Sequence, residues 1–243
     1  MSYAIQWLRS LFFNIYMYVA MFVVGVLYTP AAIASPKGAI AGCHRYCVVV
    51  LWGARWMIGL NVEIRGTPPT HEVMVAAKHQ SFLDVLAIYG AMPRGKFIFK
   101  RILMYAPVIG QFGLRIGCIP VDRGKRGAAI TKMLADVKAG VAHPGQLIIY
   151  PQGTRVAPGA EKPYKKGTGA LYRELGQPCI PVATNIGVFW PKRGVYRKPG
   201  TAVVEFLDEI APGMEPHAFM ALIEDRIETA SDRLNEEAWA QFK

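Results

Sequence analysis

The sequence predicts a mixed α/β domain whose largely buried sheet is flanked by helices and preceded by two hydrophobic helices. Three observations lead to this prediction. Short apolar strands alternate with amphipathic helices from about residue 61. The first 60 residues contain no Asp or Glu, and they include an uncharged, mainly apolar run of 18 residues, Leu11–Tyr28. A length of 243 residues suits one large domain with an added segment. We assign residues 1–60 to a hydrophobic anchor and residues 61–243 to the α/β domain.

The composition excludes several classes of protein. A hydrophobic content of 52% with only 19% charged residues excludes a disordered or fibrous chain. Four cysteines are too few and too scattered for a disulfide framework, and their spacing predicts no metal site. The formal net charge of +11 indicates an anionic partner, which can be a lipid surface, a nucleic acid or an acidic substrate.

Two stretches of the amino-terminal segment are typical of lipid contact. At helical rise, the 18 uncharged residues of Leu11–Tyr28 extend about 27 Å, close to the thickness of a bilayer core. A second apolar stretch, Ala39–Leu60, places His44, Arg45 and Arg55 in one sector of a helical wheel. This pattern predicts a helix in the membrane interface, and hence a two-helix membrane-binding motif.

Two other interpretations of this segment stay open. Ala32-Ile33-Ala34 before Ser35 resembles the cleavage site of a signal peptide, although the apolar run is longer than the usual hydrophobic region of such peptides. A hairpin buried in the globular core is the third interpretation.

The remaining elements follow from apolar periodicity. We predict strands over Glu72–Ala77, Lys96–Lys100, Ile116–Asp122, Gln146–Tyr150, Cys179–Thr184 and Ala202–Leu207, and helices over Ser81–Met92, Gly127–Gly140, Gly167–Leu175 and Pro216–Trp239. This alternation is typical of an α/β domain.

One candidate catalytic pair lies where a strand gives way to a helix, in the segment Lys78–Asp84. Ser81 and Asp84 fit a capping box, which by itself is a structural role. Residues five apart on one helix point about 140° apart, but His79 precedes the helix, so it can meet Asp84 in the first turn. A carboxylate on one imidazole nitrogen leaves the other free as a base.

Candidate anion-binding groups follow two other apolar strands. The turn Gln152-Gly153-Thr154-Arg155 offers backbone N–H groups and a guanidinium, which suit a phosphate or carboxylate. Arg123 closes the strand that begins at Ile116, and either Arg can instead belong to an ordinary surface turn. Basic, aromatic-rich loops at 162–166, 189–193 and 196–198 suit a membrane surface, an acidic carrier protein or single-stranded nucleic acid.

The order and spacing of these motifs resemble the glycerolipid acyltransferases, and the closest resemblance is to the 1-acyl-sn-glycerol-3-phosphate acyltransferase family. The resemblance covers roughly residues 60–210 and rests on four motifs. These are His79 with Asp84, then Gly117–Arg123, then Pro151–Arg155, then Ile180-Pro181-Val182.

The resemblance implies roles for these residues. His79 would be the general base and Asp84 would orient it, while Arg123, Gly153, Thr154 and Arg155 would bind the acceptor phosphate. Gln152 belongs to the same predicted substrate-binding turn, and Lys100 would add charge. Two positions depart from the family pattern, because Lys78 stands where the family usually has Asn and Gln152 where it usually has Glu.

The expected activity is therefore transfer of an acyl group from a thioester, carried by CoA or acyl carrier protein, to lysophosphatidic acid. No further cofactor and no nucleic acid is expected, and the expected location is the cytoplasmic face of the inner or plasma membrane. Acylation of another lyso-lipid, such as a lyso-ornithine lipid, and a non-catalytic basic membrane-binding protein are the alternatives.

Overall fold

A computed structural model describes residues 2–121 and 144–242, together with Thr131 and Ala135. In this part of the chain, seven strands are present: β1 (Leu60–Arg65), β2 (Met74–Ala77), β3 (Gly95–Lys100), β4 (Ile119–Val121), β5 (Gln146–Ile149), β6 (Cys179–Thr184) and β7 (Gly200–Phe206). They form one sheet in the order β1-β7-β6-β2-β5-β3-β4. Neighbouring strands are parallel except for β6 and β7. The predicted mixed sheet is confirmed.

The order of the strands brings separate sequence motifs together. Strands β2, β5 and β3 are adjacent and parallel, so their carboxyl ends lie at one edge of the sheet. The segment that carries His79 follows β2, the turn that carries Arg155 follows β5, and Lys100 ends β3.

Helices cover both faces of the sheet. They are α1 (Tyr3–Ala34), α2 (Pro36–Gly53), α3 (Leu83–Gly90), α4 (Ile109–Arg115), α5 (Gly167–Leu175), α6 (Ile186–Phe189) and α7 (Pro216–Ala240), with a π-helical turn at Ala54–Ile58 and a 3₁₀ turn at Arg101–Tyr105. Alternate residues of β2 belong to different cores, because Val75 packs with α1–α3 whereas Met74 packs with α5 and α7. Burial on both faces explains why the central strands are almost wholly apolar.

Most element boundaries agree with the sequence prediction, and α5 and β6 agree at both ends. The helix predicted over Ala39–Leu60 is wrong at its carboxyl end, because Gly59 adopts a left-handed conformation (φ 70°) and Leu60 begins β1. Strand β1 and helix α4 were not predicted, and the strand predicted from Ile116 begins only at Ile119, because α4 ends at Arg115 and a turn follows it. Asp122, and the predicted helix Gly127–Gly140 apart from Thr131 and Ala135, lie outside the described residues.

Helices α1 and α2 form a hairpin that packs against the same face of the sheet as α3. Near the start of α1, the amide of Gln6 donates to the carbonyl oxygens of Ile58 (2.9 Å) and Arg197 (2.8 Å), and Oγ of Ser10 accepts from the N–H of Arg197 (3.0 Å). The helix is long and apolar enough to cross a membrane by length and composition, and a third of its most apolar window is buried.

The outer face of this hairpin exposes large apolar side chains. On α1 these include Ile5, Leu8, Phe12, Ile15, Tyr18, Phe22, Val26 and Leu27, and on α2 and the following turn they include Val48, Trp52 and Trp56. The hairpin therefore has one face in the protein core and one apolar face outside it.

Candidate active site

His79 and Asp84 meet at the junction between β2 and α3, as the sequence predicts. Nδ1 of His79 lies 2.9 Å from Oδ1 of Asp84, whose side chain is fully buried. An ionised carboxylate only accepts hydrogen bonds, so Nδ1 of a neutral ring carries the proton and Nε2 keeps its lone pair. The pair can therefore present a base to a substrate.

The second oxygen of Asp84 fixes the loop before α3. Oδ2 accepts hydrogen bonds from the backbone N–H groups of Gln80 (2.8 Å) and Ser81 (2.7 Å). The sequence predicts Ser81 as the N-cap, but Phe82 is the N-cap and the helix begins at Leu83. The hydroxyl of Ser81 accepts from the N–H of Leu83 (3.3 Å), which closes a local turn before the helix starts.

Tyr150, the first residue after β5, packs flat against the imidazole of His79. The ring centroids are 4.0 Å apart and the planes differ by 20°. Within the described residues, the buried hydroxyl of Tyr150 has no hydrogen-bond partner. Burial and the carboxylate of Asp84 raise the pKa of Tyr150 well above its ordinary value, so the phenol stays neutral. Sequence reasoning missed this residue, although its place directly after an apolar strand was a usable signal.

A mainly apolar cavity of about 720 Å³ lies between the α1–α2 hairpin and the sheet. Its walls come from α1, α2, α3, β3, the segment 103–118 and the turn after β5. Among the apolar lining residues are Val24, Cys47, Leu86, Phe97, Leu103 and Phe112. His79 and Tyr150 line the same cavity, so the candidate base faces an apolar chamber of the size typical of small-molecule sites.

Cationic and hydroxyl groups line the same cavity. Lys100, Thr154 and Arg155, three of the predicted substrate-binding residues, contribute to its wall, together with Lys192. Nζ of Lys192 donates to the backbone oxygen of Arg155 (3.0 Å) and lies 3.4 Å from Oγ1 of Thr154. Lys192 belongs to a basic loop noted in the sequence, but nothing there placed it beside Arg155.

Gly153 and Gln152, the other predicted residues of this turn, do not line the cavity. Gly153 has φ 68°, and a Cβ at this position would clash with the side chain of Lys165. The buried amide of Gln152 lies 3.4 Å from Oε1 of Glu228 and donates to the backbone oxygen of Lys162 (3.3 Å), and Gln152 does not line the cavity, so its role in substrate binding stays a prediction of the sequence. Arg123 lies outside the described residues.

Comparison with known families decides the class of this site. A family model described as acyltransferase matches residues 60–185, which is more than half of the chain. The chain belongs to the acyltransferase family. The matched range contains both His79 with Asp84 and the turn that carries Arg155, so the predicted family is confirmed and the chain is an O-acyltransferase.

Curated relatives of this acyltransferase are named 1-acyl-sn-glycerol-3-phosphate acyltransferases. It is 28% identical over 204 residues to a 1-acyl-sn-glycerol-3-phosphate acyltransferase of Pseudomonas aeruginosa, covering 82% of this chain and 79% of the relative. It is 29% identical to 1-acyl-sn-glycerol-3-phosphate acyltransferase alpha of Mus musculus, covering 79% of this chain and 71% of the relative.

A solved structure shows the same fold. The crystal structure of the 1-acyl-sn-glycerophosphate acyltransferase PlsC from Thermotoga maritima matches this acyltransferase with a TM-score of 0.78 at 19% identity, covering 94% of this chain and 97% of that chain. Among residues 2–121 and 144–242 of this acyltransferase, no group of three or more His, Cys, Asp or Glu side chains could hold a metal ion.

Proposed function

We propose that this acyltransferase moves a fatty acyl group from an acyl thioester to 1-acyl-sn-glycerol-3-phosphate and so forms phosphatidic acid. One observation carries the proposal: the His79–Asp84 pair faces a cavity that is apolar along most of its wall and cationic near Arg155. An acyl chain and a phosphorylated alcohol require these two environments on either side of a base. The names of the relatives support the choice of acceptor.

His79 acts as the general base in this reaction. Nε2 takes the proton of the acceptor hydroxyl while the hydroxyl oxygen attacks the thioester carbonyl carbon. The tetrahedral intermediate then collapses, the C–S bond breaks, and the leaving thiolate takes the proton back from Nε2. Asp84 holds the ring in the required tautomer and stabilises the imidazolium while it exists.

The acceptor phosphate binds at the cationic part of the cavity. Arg155 offers a planar fork that matches phosphate oxygens, and Lys100 and Lys192 add positive charge. The N–H of Gly153 donates to the carbonyl oxygen of Tyr150 (2.8 Å), and the next residue, Thr154, lines the cavity with a hydroxyl that can donate to a phosphate oxygen. Arg123 stays a prediction of the sequence for the same role.

A membrane surface supplies the acceptor. The apolar face of the α1–α2 hairpin lies in lipid, and exposed apolar residues of the neighbouring turn, Ile102, Leu103 and Tyr105, extend this face. Leu103 also lines the cavity, so a lyso-lipid can pass from the bilayer to His79 without crossing water. The net charge of +11 favours the anionic cytoplasmic side of the inner or plasma membrane.

The decisive test is a panel of donors and acceptors with purified protein in mixed micelles. Acyl-CoA and acyl carrier protein thioesters are each offered with lysophosphatidic acid, lysophosphatidylcholine and lyso-ornithine lipid, and products are identified by mass spectrometry. We expect an acylated product only when lysophosphatidic acid is the acceptor, and that product is phosphatidic acid. The His79→Ala variant should form no phosphatidic acid. Turnover of lyso-ornithine lipid in preference to lysophosphatidic acid would refute the proposed acceptor, and unaltered turnover by His79→Ala would refute the base.

A further inference from the structure

A buried ion pair lies directly behind the candidate base. Lys78, the residue before His79, is almost fully buried, and its ammonium donates to Oε2 of Glu228 on α7. Neither residue lines the cavity. A buried ammonium needs a partner, because transfer of an unpaired charge out of water is strongly unfavourable. Lys78, which is adjacent to His79, therefore needs the carboxylate of Glu228 to stay charged in the protein interior.

The other oxygen of Glu228 contacts residues next to the turn that carries Arg155. Oε1 accepts a hydrogen bond from the hydroxyl of Tyr164 (2.7 Å) and lies 3.4 Å from the amide of Gln152. Burial and Glu228 raise the pKa of Tyr164, so its phenol remains a neutral donor. Gln152 directly precedes the turn that carries Arg155, and the next residue after Tyr164, Lys165, packs against Gly153.

One carboxylate therefore connects three segments that are distant in sequence: the end of β2, the turn after β5 and the loop before α5. Both departures from the family pattern, Lys78 and Gln152, contact it. A glutamate at 152 would place a second carboxylate next to Glu228, and one ammonium would then face two negative charges. The neutral amide avoids this repulsion and donates a hydrogen bond instead.

We propose that Glu228 is a positioning residue for the acceptor site of this acyltransferase. It holds the turn at Gly153–Arg155 in register with the loop that carries His79, because its two carboxylate oxygens contact Gln152 and Lys78. Glu228 touches no substrate, so its effect is transmitted through Gln152 and Lys78. The proposal deepens the proposed function, because it concerns where the acceptor binds relative to the base.

The test is a set of carboxylate substitutions with kinetics for both substrates. We expect Glu228→Gln to raise the KM for lysophosphatidic acid about tenfold and to leave the donor KM unchanged, because its contacts among the described residues reach the turn that carries Arg155 and not the apolar wall of the cavity. Gln152→Glu should also raise the acceptor KM, through repulsion. The double variant Gln152→Glu with Glu228→Gln restores a single carboxylate beside Lys78 and should recover most of the loss.

Glu224→Gln is the matched control. Glu224 lies one helical turn before Glu228, where burial and then the charge of Glu228 raise its pKa, so it tests a general change of charge at the same place. We expect this variant to keep both KM values. Glu228→Asp, which keeps the charge and shortens the side chain by one methylene, should give an intermediate acceptor KM and serves if the amide variant does not fold.

Two results would overturn the proposal. One is an unchanged acceptor KM in folded Glu228→Gln or Glu228→Asp. The other is an equal rise in the KM values of donor and acceptor that the double variant does not reverse. This result would mean that Glu228 only stabilises the fold. If the panel finds another lyso-lipid as the acceptor, the proposed function fails, and the same KM comparison with that lipid still decides the role of Glu228. Equilibrium binding of lysophosphatidic acid without donor gives the comparison independently of turnover.

Discussion

The phenol ring of Tyr150 stacks on the imidazole of His79, with 4.0 Å between their centroids and 20° between their planes. One ring face of the base is thereby covered by a rigid partner that follows β5, while Asp84 holds Nδ1 from the loop that follows β2. The backbone N–H of Val156 also donates to the carbonyl oxygen of His79 (2.8 Å). The imidazole is thus fixed by both motif-bearing segments, which couples the position of the base to the position of the acceptor turn.

Substitution of Tyr150 separates the role of its ring from that of its hydroxyl. Tyr150→Phe keeps the stacked ring and removes a buried hydroxyl that has no hydrogen-bond partner in the described part of the chain, so we expect kcat within about threefold and a thermal stability equal to or above that of the parent. Tyr150→Leu loses an aromatic contact of about 0.5–1.5 kcal/mol and should lower kcat about tenfold. Initial rates and thermal unfolding check both. A loss above tenfold in Tyr150→Phe would mean that the hydroxyl binds the substrate.

Changes at His79 and Asp84 should act on turnover and not on membrane binding. We expect His79→Ala to lower kcat by about 10²–10⁴-fold, the range for loss of a general base. Asp84→Asn should cause a similar loss, because an amide N–H₂ group cannot accept from Nδ1 and favours the wrong tautomer. Single-turnover rates, with circular dichroism and vesicle flotation as controls, check this. Near-normal turnover in folded Asp84→Asn would exclude the orienting role.

The sequence was sufficient to predict the contact between His79 and Asp84, because local structure decides it. His79 and Asp84 meet because a strand-to-helix junction leaves few other arrangements for residues five apart. Arg155 and Lys100 were predicted at the carboxyl ends of strands, and both line the cavity. Their convergence depends on β2, β5 and β3 being neighbours, which periodicity alone does not reveal.

Other parts of the site depend on tertiary contacts that no local pattern encodes. Glu228 lies 150 residues after Lys78, and on the helical wheel it is one more polar residue beside an apolar face. Gln152 was predicted to bind substrate because it belongs to the same turn as Arg155, and in the structure its amide lies 3.4 Å from this carboxylate. Strand β1 was missed because its alternating apolar and polar residues follow directly on a helix without a loop.

Removal of the Arg155 side chain should weaken binding of the acceptor and leave binding of the donor unchanged. A charge-assisted hydrogen bond contributes about 1.5–3 kcal/mol, so Arg155→Ala should raise the KM for lysophosphatidic acid about ten- to a hundredfold. Lys192→Ala should have a smaller effect, because its ammonium also bonds to the backbone of this turn. Initial rates at varied acceptor and donor check the split, with Arg173→Ala in the last turn of α5 as the control. An effect on the donor KM alone would place the phosphate elsewhere.

Charges on the outer face of α1 should release the protein from lipid without unfolding it. Phe12 and Phe22 expose 60% and 64% of their surface on this face, so glutamate at either position removes no core contact. Each substitution replaces an apolar side chain worth about 1.5–3 kcal/mol of burial with a charge that anionic lipid repels. We expect Phe12→Glu with Phe22→Glu to lose flotation with anionic vesicles while the far-UV spectrum is retained, and Trp239→Glu, an exposed aromatic on α7, to float normally. Flotation of the double variant at the parental level would show that this face does not bind the membrane.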